Sequence, residues 1–335
     1  MNIKKTANPD FFTPSSIKET ALGFQKIRIL LTAYELGLFT ALGSKRKTAA
    51  EAAKVLKTKI HSTEQLMNAL CSLGLLSKNK DRFSNTSLAL RFLVHGRPDF
   101  IAGLMHVVQM WDSWSTLTQA VRQGKSVLGQ PLDKRAKPWL TAFIAAMDER
   151  ARQQARRVAS LLDLCGVSSV LDVGGGSGAY AMAFARSGPR IKATVFDLPG
   201  VVPLTRNYIK QAGLSAKVKT VSGNYKTDDL GSGFDLVFLS AIIHSNSSAE
   251  NCALIRKCVK ALKAQGQVVV QDFIMNEDRI KPAFGAIFAL NMLVATEAGD
   301  TYTEGEVRAW MQDAGLSGIK RKDTAFGTAL IIGRI

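Results

Sequence analysis

The chain has 335 residues, long enough for two domains with separate cores, and its 46% hydrophobic and 21% charged composition is that of a globular protein. No apolar run reaches the roughly 18 to 20 residues of a membrane span, and Met1–Asp10 lacks the apolar segment of a signal peptide, so a cytoplasmic protein without a membrane partner is expected. The net charge of +17 is uneven: residues 1–160 hold 25 Lys/Arg against 11 Asp/Glu, a net of +14 that leaves +3 for the rest, which keeps nucleic acid or an acidic small molecule open as a partner.

In chain order, residues 17–42 read as one long helix, apolar around most of its circumference through Ile17, Leu22, Phe24, Ile27, Leu31, Leu36 and Phe39. A helix apolar on nearly all sides must be buried on all sides, and a domain of about 100 residues can hardly do that alone, so a partner subunit is implied. Thr48 and Glu51 form a capping box opening a short helix, Ser62 and Gln65 another opening a helix over 63–73, and Gly74 is the stop. Residues 77–86 then read as a hairpin, giving helix, turn, helix, wing. The second helix presents Glu64, Gln65, Asn68 and Ser72 outward, without Lys or Arg, a poor face for phosphates. Nucleic acid is therefore not expected as a partner. Residues 100–164 are helical again, interrupted by the loop between Pro131 and Pro138; His106, Trp111, Trp114, Phe143 and Met147 fall here, as core packing or as the wall of a ligand pocket. The four cysteines form no C-x-x-C pair and read as reduced core residues, and no metal site is expected.

The stretch Val170–Asp197 organises the second half. An aliphatic run gives way to Gly174, Gly175, Gly176 and Gly178, then an alanine-rich helix, then a second apolar run ending at Asp197. Strand, glycine turn, helix and strand place a ligand against a helix N-terminus, and an acid 23 positions after Gly174 stands where a nucleotide-binding fold holds ribose hydroxyls. After it come a helix over 200–212, strands over 217–222 and 235–240, a helix over 249–262, a strand over 267–273, helices up to Glu297 and over 304–314, and a last strand over 328–332. The alternation predicts an α/β, mostly parallel doubly wound sheet whose strands end on polar residues: Asp172 to Gly174, Asp197, Gly223 to Tyr225, Ser240 to His244, and Asp272.

Gly174, Gly176 and Ala179 also fit the dinucleotide pattern, so a nicotinamide oxidoreductase is not excluded by the glycines, and a winged-helix regulator with a metabolite-sensing domain is the rival from another class. The combination of L-D-V-G-G-G-S-G, F-D-L-P-G-V from Phe196 to Val201 and L-S-A-I-I-H from Leu239 to His244 resembles the S-adenosylmethionine-dependent small-molecule O-methyltransferases, the caffeic acid and acetylserotonin group, in its bacterial branch. The likeness spans nearly the whole chain, including W-x-x-L at Trp114, R-Q-G-K at Arg122, F-x-x-x-M at Phe143 and A-G-L at Ala314. It implies a winged-helix dimerisation domain over 1–100, a helical connector over 101–164 that contributes to the acceptor pocket, and a Rossmann-like class I methyltransferase domain over 165–335, assembled as a homodimer.

What the resemblance implies for the site follows residue by residue. S-adenosylmethionine, leaving as S-adenosylhomocysteine, would meet Asp172, Gly174, Gly175, Gly176, Gly178, Asp197, Leu198, Asn224, Tyr225 and Ser240. His244 matches the catalytic base that deprotonates an acceptor hydroxyl, with Asp272 as its flanking acid; His106, Trp114, Phe143, Met147, Met292 and Thr296 would form a mostly apolar pocket for an aromatic or polycyclic acceptor. The chain departs from its relatives in carrying Ser245 and Asn246 where they have Asp and Trp, an Asp at 272 one methylene shorter than Glu, and Thr301 where a second acid stands. These departures leave C- or N-methylation, or a non-methylating use of the cofactor, as alternatives.

Overall fold

The computed structural model describes residues 13–335. The stretch Met1–Asp10, read for the absence of a leader, lies outside them. The chain divides into two compact units with the boundary between Val108 and Gln109, so the connector expected over 101–164 is shared between them instead of standing as a third body.

In the first unit α1 (Pro14–Glu35) and α2 (Leu38–Leu42) replace the single long helix expected. Gly37, at φ 72°, breaks it. Then come β1 (Lys47–Thr48), α3 (Ala49–Leu56), α4 (Ile60–Ser72), β2 (Leu76–Asn79), β3 (Arg82–Asn85) and α5 (Ser87–Phe92). The Thr48–Glu51 capping box is present at α3. The Ser62–Gln65 box is not: α4 starts one turn earlier, capped by Lys59 with no side-chain bond, because Thr63 turns inward and donates back to the Lys59 carbonyl. The hairpin expected over 77–86 is β2 and β3, which join β1 in a three-stranded sheet of order β1-β3-β2. Lys78 of β2 folds onto α4, donating to Glu64 at 3.2 Å and Asn68 at 2.9 Å, which removes its charge from a face that already lacked cations. Along α1, Ile17, Leu22, Phe24 and Ile27 are each more than half exposed, while Leu31, Ala33 and Tyr34 are buried, the last two in the unit's own core.

Helix α6 (Leu104–Ser115) runs across the boundary, and the second unit continues with α7 (Leu117–Gln123), α8 (Lys137–Leu161), β4 (Ser169–Val173), α9 (Ala179–Ser187), β5 (Lys192–Asp197), α10 (Val202–Gln211), β6 (Val218–Ser222), β7 (Phe234–Ser240), α11 (Ser248–Ala261), β8 (Leu262–Asp272), α12 (Ala283–Ala295), α13 (Glu304–Asp313), β9 (Ser317–Asp323) and β10 (Ala329–Arg334). The seven strands lie in the order β6-β5-β4-β7-β8-β10-β9, with β4 to β8 parallel and β10 antiparallel to both neighbours. Strand β9 was not anticipated. It is an exposed edge strand, S-G-I-K-R-K-D, in which one apolar residue among seven leaves little periodicity to read.

Both faces of the sheet are covered, which is why its strands read as continuous apolar runs. One core packs Leu171, Val237, Leu239, Val268 and Val270 against α11 and α13; the other packs Val170, Val195, Phe238, Val269 and Leu330 against α8 and α9. Among the cysteines only Cys258 is buried. Cys71 and Cys252 are partly buried and Cys165 is exposed, in the turn after α8, so the core assignment holds for one of the four. No helix among the described residues is long and apolar enough to cross a membrane.

Candidate active site

The parallel strands converge at their C-terminal ends, and the site is built there in two parts. At the first, β4 stops at Gly174, whose φ of 65° turns the chain away from the sheet. A side chain at 174 would be strained there and would run into Ile242, so the turn requires glycine. The Gly174 N–H donates to the Phe196 carbonyl at 2.7 Å, tying the turn to β5. Asp197, at the tip of β5, accepts from the backbone N–H groups of Gly176 at 2.7 Å and Leu198 at 2.7 Å. Burial pushes its carboxyl up to about 6, against the pull of those two N–H donors. Asp172 lies under the turn with no exposed surface, accepting from the Ala181 N–H while its other oxygen finds no partner. Burial, aided by the charge of Asp197, pushes it up to about 7. It supports the turn from below instead of facing the groove. The turn, a free edge above it and a buried acid at the second strand suit a ribose-bearing ligand.

Asn224 and Tyr225 follow β6. The Asn224 side chain closes its own turn by accepting from the Lys226 N–H, while Tyr225 packs on the core and donates its hydroxyl to Asn246 at 3.0 Å. Burial holds that phenol up at about 12. Ser240, at the end of β7, donates to Gln271 at 3.1 Å.

The second part is the turn after β7. Ala241 takes a positive φ of 57°, and the chain then forms a single helical turn, Ile243–Ser245, that carries His244. The ring is buried and its Nδ1 lies 2.9 and 3.0 Å from the two oxygens of Asp272, itself buried and further held by the Phe273 N–H. Asp272 therefore reaches the imidazole despite its shorter side chain. Thr301 is not its second partner: its backbone N–H goes to Asp300 and its carbonyl to Arg279, and it is the neighbouring Asp300 N–H that donates to the His244 carbonyl. Gly299 lets this loop approach, since a Cβ there would meet the His244 carbonyl, the Thr296 hydroxyl and Met292.

Asn246 is fully buried and acts as a junction. It accepts from Tyr225 and, through its carbonyl, from Tyr302; it donates to Asn251 at 3.1 Å, which in turn donates to the Ile243 carbonyl at 2.9 Å. Four hydrogen bonds thus pin the turn that presents His244. A buried network satisfied in this way rigidifies its surroundings.

The expected acceptor residues divide. Met292 and Thr296 lie beside the His244 turn, and Trp114 is tied to the same helix by a bond from Nε1 to Asn291 at 2.9 Å. Phe143 stacks on Trp139 and joins Leu140, Ile144, Leu198 and Val201, a cluster next to Asp197, with Met147 one turn further along α8. His106 belongs to the first unit. The residue that was missed is Phe288: its ring stands edge-on to His244, centroids 4.8 Å apart, and packs on Phe273 at 4.9 Å. Its signal was available, because Phe284, Phe288, Met292 and Thr296 recur every fourth residue along one face.

Residues 114–317 match the O-methyltransferase domain model, and residues 18–95 match the O-methyltransferase dimerisation domain. This chain belongs to the O-methyltransferase family. It is 32% identical to the 3-hydroxy-5-methyl-1-naphthoate 3-O-methyltransferase of Streptomyces sahachiroi, over 93% of this chain and 92% of that one. It is 29% identical to the tetracenomycin polyketide synthesis 8-O-methyl transferase of Streptomyces glaucescens, over 96% of each. Among solved structures it resembles that of PigF with SAH, at a TM-score of 0.87 and 25% identity, covering 97% of this chain and 100% of that one. The enzyme is an S-adenosylmethionine-dependent O-methyltransferase with a class I fold. Among its described residues no group of three or more His, Cys, Asp or Glu is placed to hold a metal.

Proposed function

We propose that the enzyme methylates a hydroxyl of an aromatic or polycyclic small molecule, with His244 as general base, and that it works as a homodimer. The observation that carries the base assignment is the contact of both Asp272 oxygens with Nδ1. A carboxylate there keeps the proton on Nδ1 and leaves Nε2 as the acceptor. The cofactor supplies an electrophilic methyl on a sulfonium. Nε2 would take the acceptor's proton as its oxygen attacks that methyl, with the carbon–sulfur bonding pair returning to sulfur to give S-adenosylhomocysteine. Asp197 would take the ribose hydroxyls, the turn from Gly174 to Gly178 would face the methionine portion, and Leu198, Asn224, Tyr225 and Ser240 would border the rest. Phe288, Met292 and Thr296 lie beside the base, with Trp114 tied to the same helix, and would line the acceptor site. The two Streptomyces relatives, named for a hydroxynaphthoate and for a tetracenomycin polyketide, support an acceptor of that kind.

The homodimer is supported by the match to a dimerisation domain and by α1, whose Ile17, Leu22, Phe24 and Ile27 hold an apolar stripe more than half exposed in the single chain. A cytoplasmic location is supported by four free thiols. The test is transfer of label from methyl-labelled S-adenosylmethionine to a panel of hydroxynaphthalenes and hydroxyanthraquinones. Label is expected in the ether product of the wild type and lost in His244→Ala; transfer at the wild-type rate in that variant removes the base. Sedimentation of a Phe24→Asp, Ile27→Asp variant is expected to show a monomer.

A further inference from the structure

Helix α8 carries Phe143, Met147 and Arg150 on one face, spaced four and three residues apart. The third of these has no obvious reason to be there. Arg150 is half-buried, and its guanidinium lies 4.7 Å from the centre of the Phe273 ring. Phe273 packs on Phe288, and Phe288 stands edge-on to His244. The charge of Arg150 also reaches the buried Tyr180 hydroxyl, whose pKa burial raises while Ser240, Gln271 and Arg150 pull it down. Arg150 thus sits at the C-terminal edge of the sheet, one aromatic ring removed from the ring that touches the base.

No hydrogen bond or ion pair to Arg150 occurs among the described residues, whereas its neighbour Arg152 pairs with Asp148 at 2.8 Å. Contact with an aromatic face engages none of the five N–H donors. A planar cation held against an apolar ring in this way is matched by a planar anion, because guanidinium and carboxylate meet through two parallel hydrogen bonds.

We infer that Arg150 selects for a carboxylate on the acceptor, so that the substrate is a hydroxy-aromatic acid. The inference rests on the proposed acceptor pocket beside His244. Burial of the acid against Phe273 and Phe288 would strengthen the pair, and the same site would reject a neutral analogue that leaves the guanidinium without a partner.

The experiment measures binding, not turnover. Hydroxybenzoates and hydroxynaphthoates, each beside its methyl ester, are titrated calorimetrically into enzyme saturated with S-adenosylhomocysteine. At least one acid is expected to bind tenfold or more tightly than its ester to the wild type. In Arg150→Gln that ratio is expected to fall to about one with S-adenosylhomocysteine affinity unchanged, and Arg150→Lys is expected to retain part of it. Acids that bind no better than their esters, including a panel in which none binds, overturn the inference. So does an Arg150→Gln variant that loses S-adenosylhomocysteine affinity while keeping the acid preference, since the guanidinium would then serve the cofactor's own carboxylate. Failure of the wild type to bind S-adenosylhomocysteine at all would instead strike the cofactor site.

Discussion

The glycine turn and the His244 turn lie at the ends of adjacent strands, and they are held by opposite means. The first is a main-chain device: positive φ at Gly174, a carboxylate at 197 that accepts only backbone N–H groups, and a second carboxylate at 172 shut beneath it. The second is a side-chain device, in which Asp272 fixes the imidazole and Asn246, Asn251, Tyr225 and Tyr302 fix the turn. The first offers a ligand a carboxylate and a glycine turn, while the second presents one basic nitrogen. Binding and chemistry are therefore separable in this protein, and each substitution below is chosen to strike one and spare the other.

The largest effect is expected from His244→Ala, which should lower turnover on a true acceptor by about 10²- to 10⁴-fold. Asp272→Asn keeps the shape but releases the ring tautomer, and a loss of roughly 10- to 100-fold in kcat is expected from removing such an orienting partner. The steady-state rates of the two variants rank the base above its holder; the reverse order would mean that Asp272 itself handles the proton. On the other side, Gly174→Ala places a side chain at φ 65° against Ile242. Strain of this kind costs about 1 to 3 kcal/mol. It is expected to appear as weaker S-adenosylhomocysteine binding, and an unchanged affinity would show that the turn does not set the cofactor's position.

A further effect is one of pH. The native Asp172 carboxyl, at about 7, lies above the unfolded value, so between about pH 4 and 7 the folded state keeps a proton that the unfolded state has lost. Its protonation stabilises the fold at the acidic end, and that contribution is lost as pH rises through the window, by up to about 1.4 kcal/mol per unit. The melting temperature of wild type relative to Asp172→Asn should fall from pH 5 to pH 8. A difference that is flat or rises with pH would place the buried proton elsewhere.

The two devices were not equally legible in the sequence. Four glycines in a row of five and an acid 23 positions on are a pattern of residue types, and the structure puts them where the spacing says. The pair His244 and Asp272 could be named as well, because each ends a strand of a parallel sheet and one edge collects them. Arg150 could not, since an arginine in a helical stripe looks the same whether it faces a core, solvent or a ligand. Nor could the junction at Asn246, whose meaning lies in three partners scattered from Tyr225 to Tyr302. In the first unit, the α1 break shows that a positive-φ glycine outranks a continuing apolar pattern, and the late start given to α4 shows that a capping-box pattern can lie inside a helix.

The most direct test of the separation is a calorimetric comparison of S-adenosylhomocysteine binding to His244→Ala and Asp197→Ala against the wild type. Wild-type affinity in His244→Ala together with lost binding in Asp197→Ala is the predicted result; a comparable loss in both would contradict it and make the two turns one site.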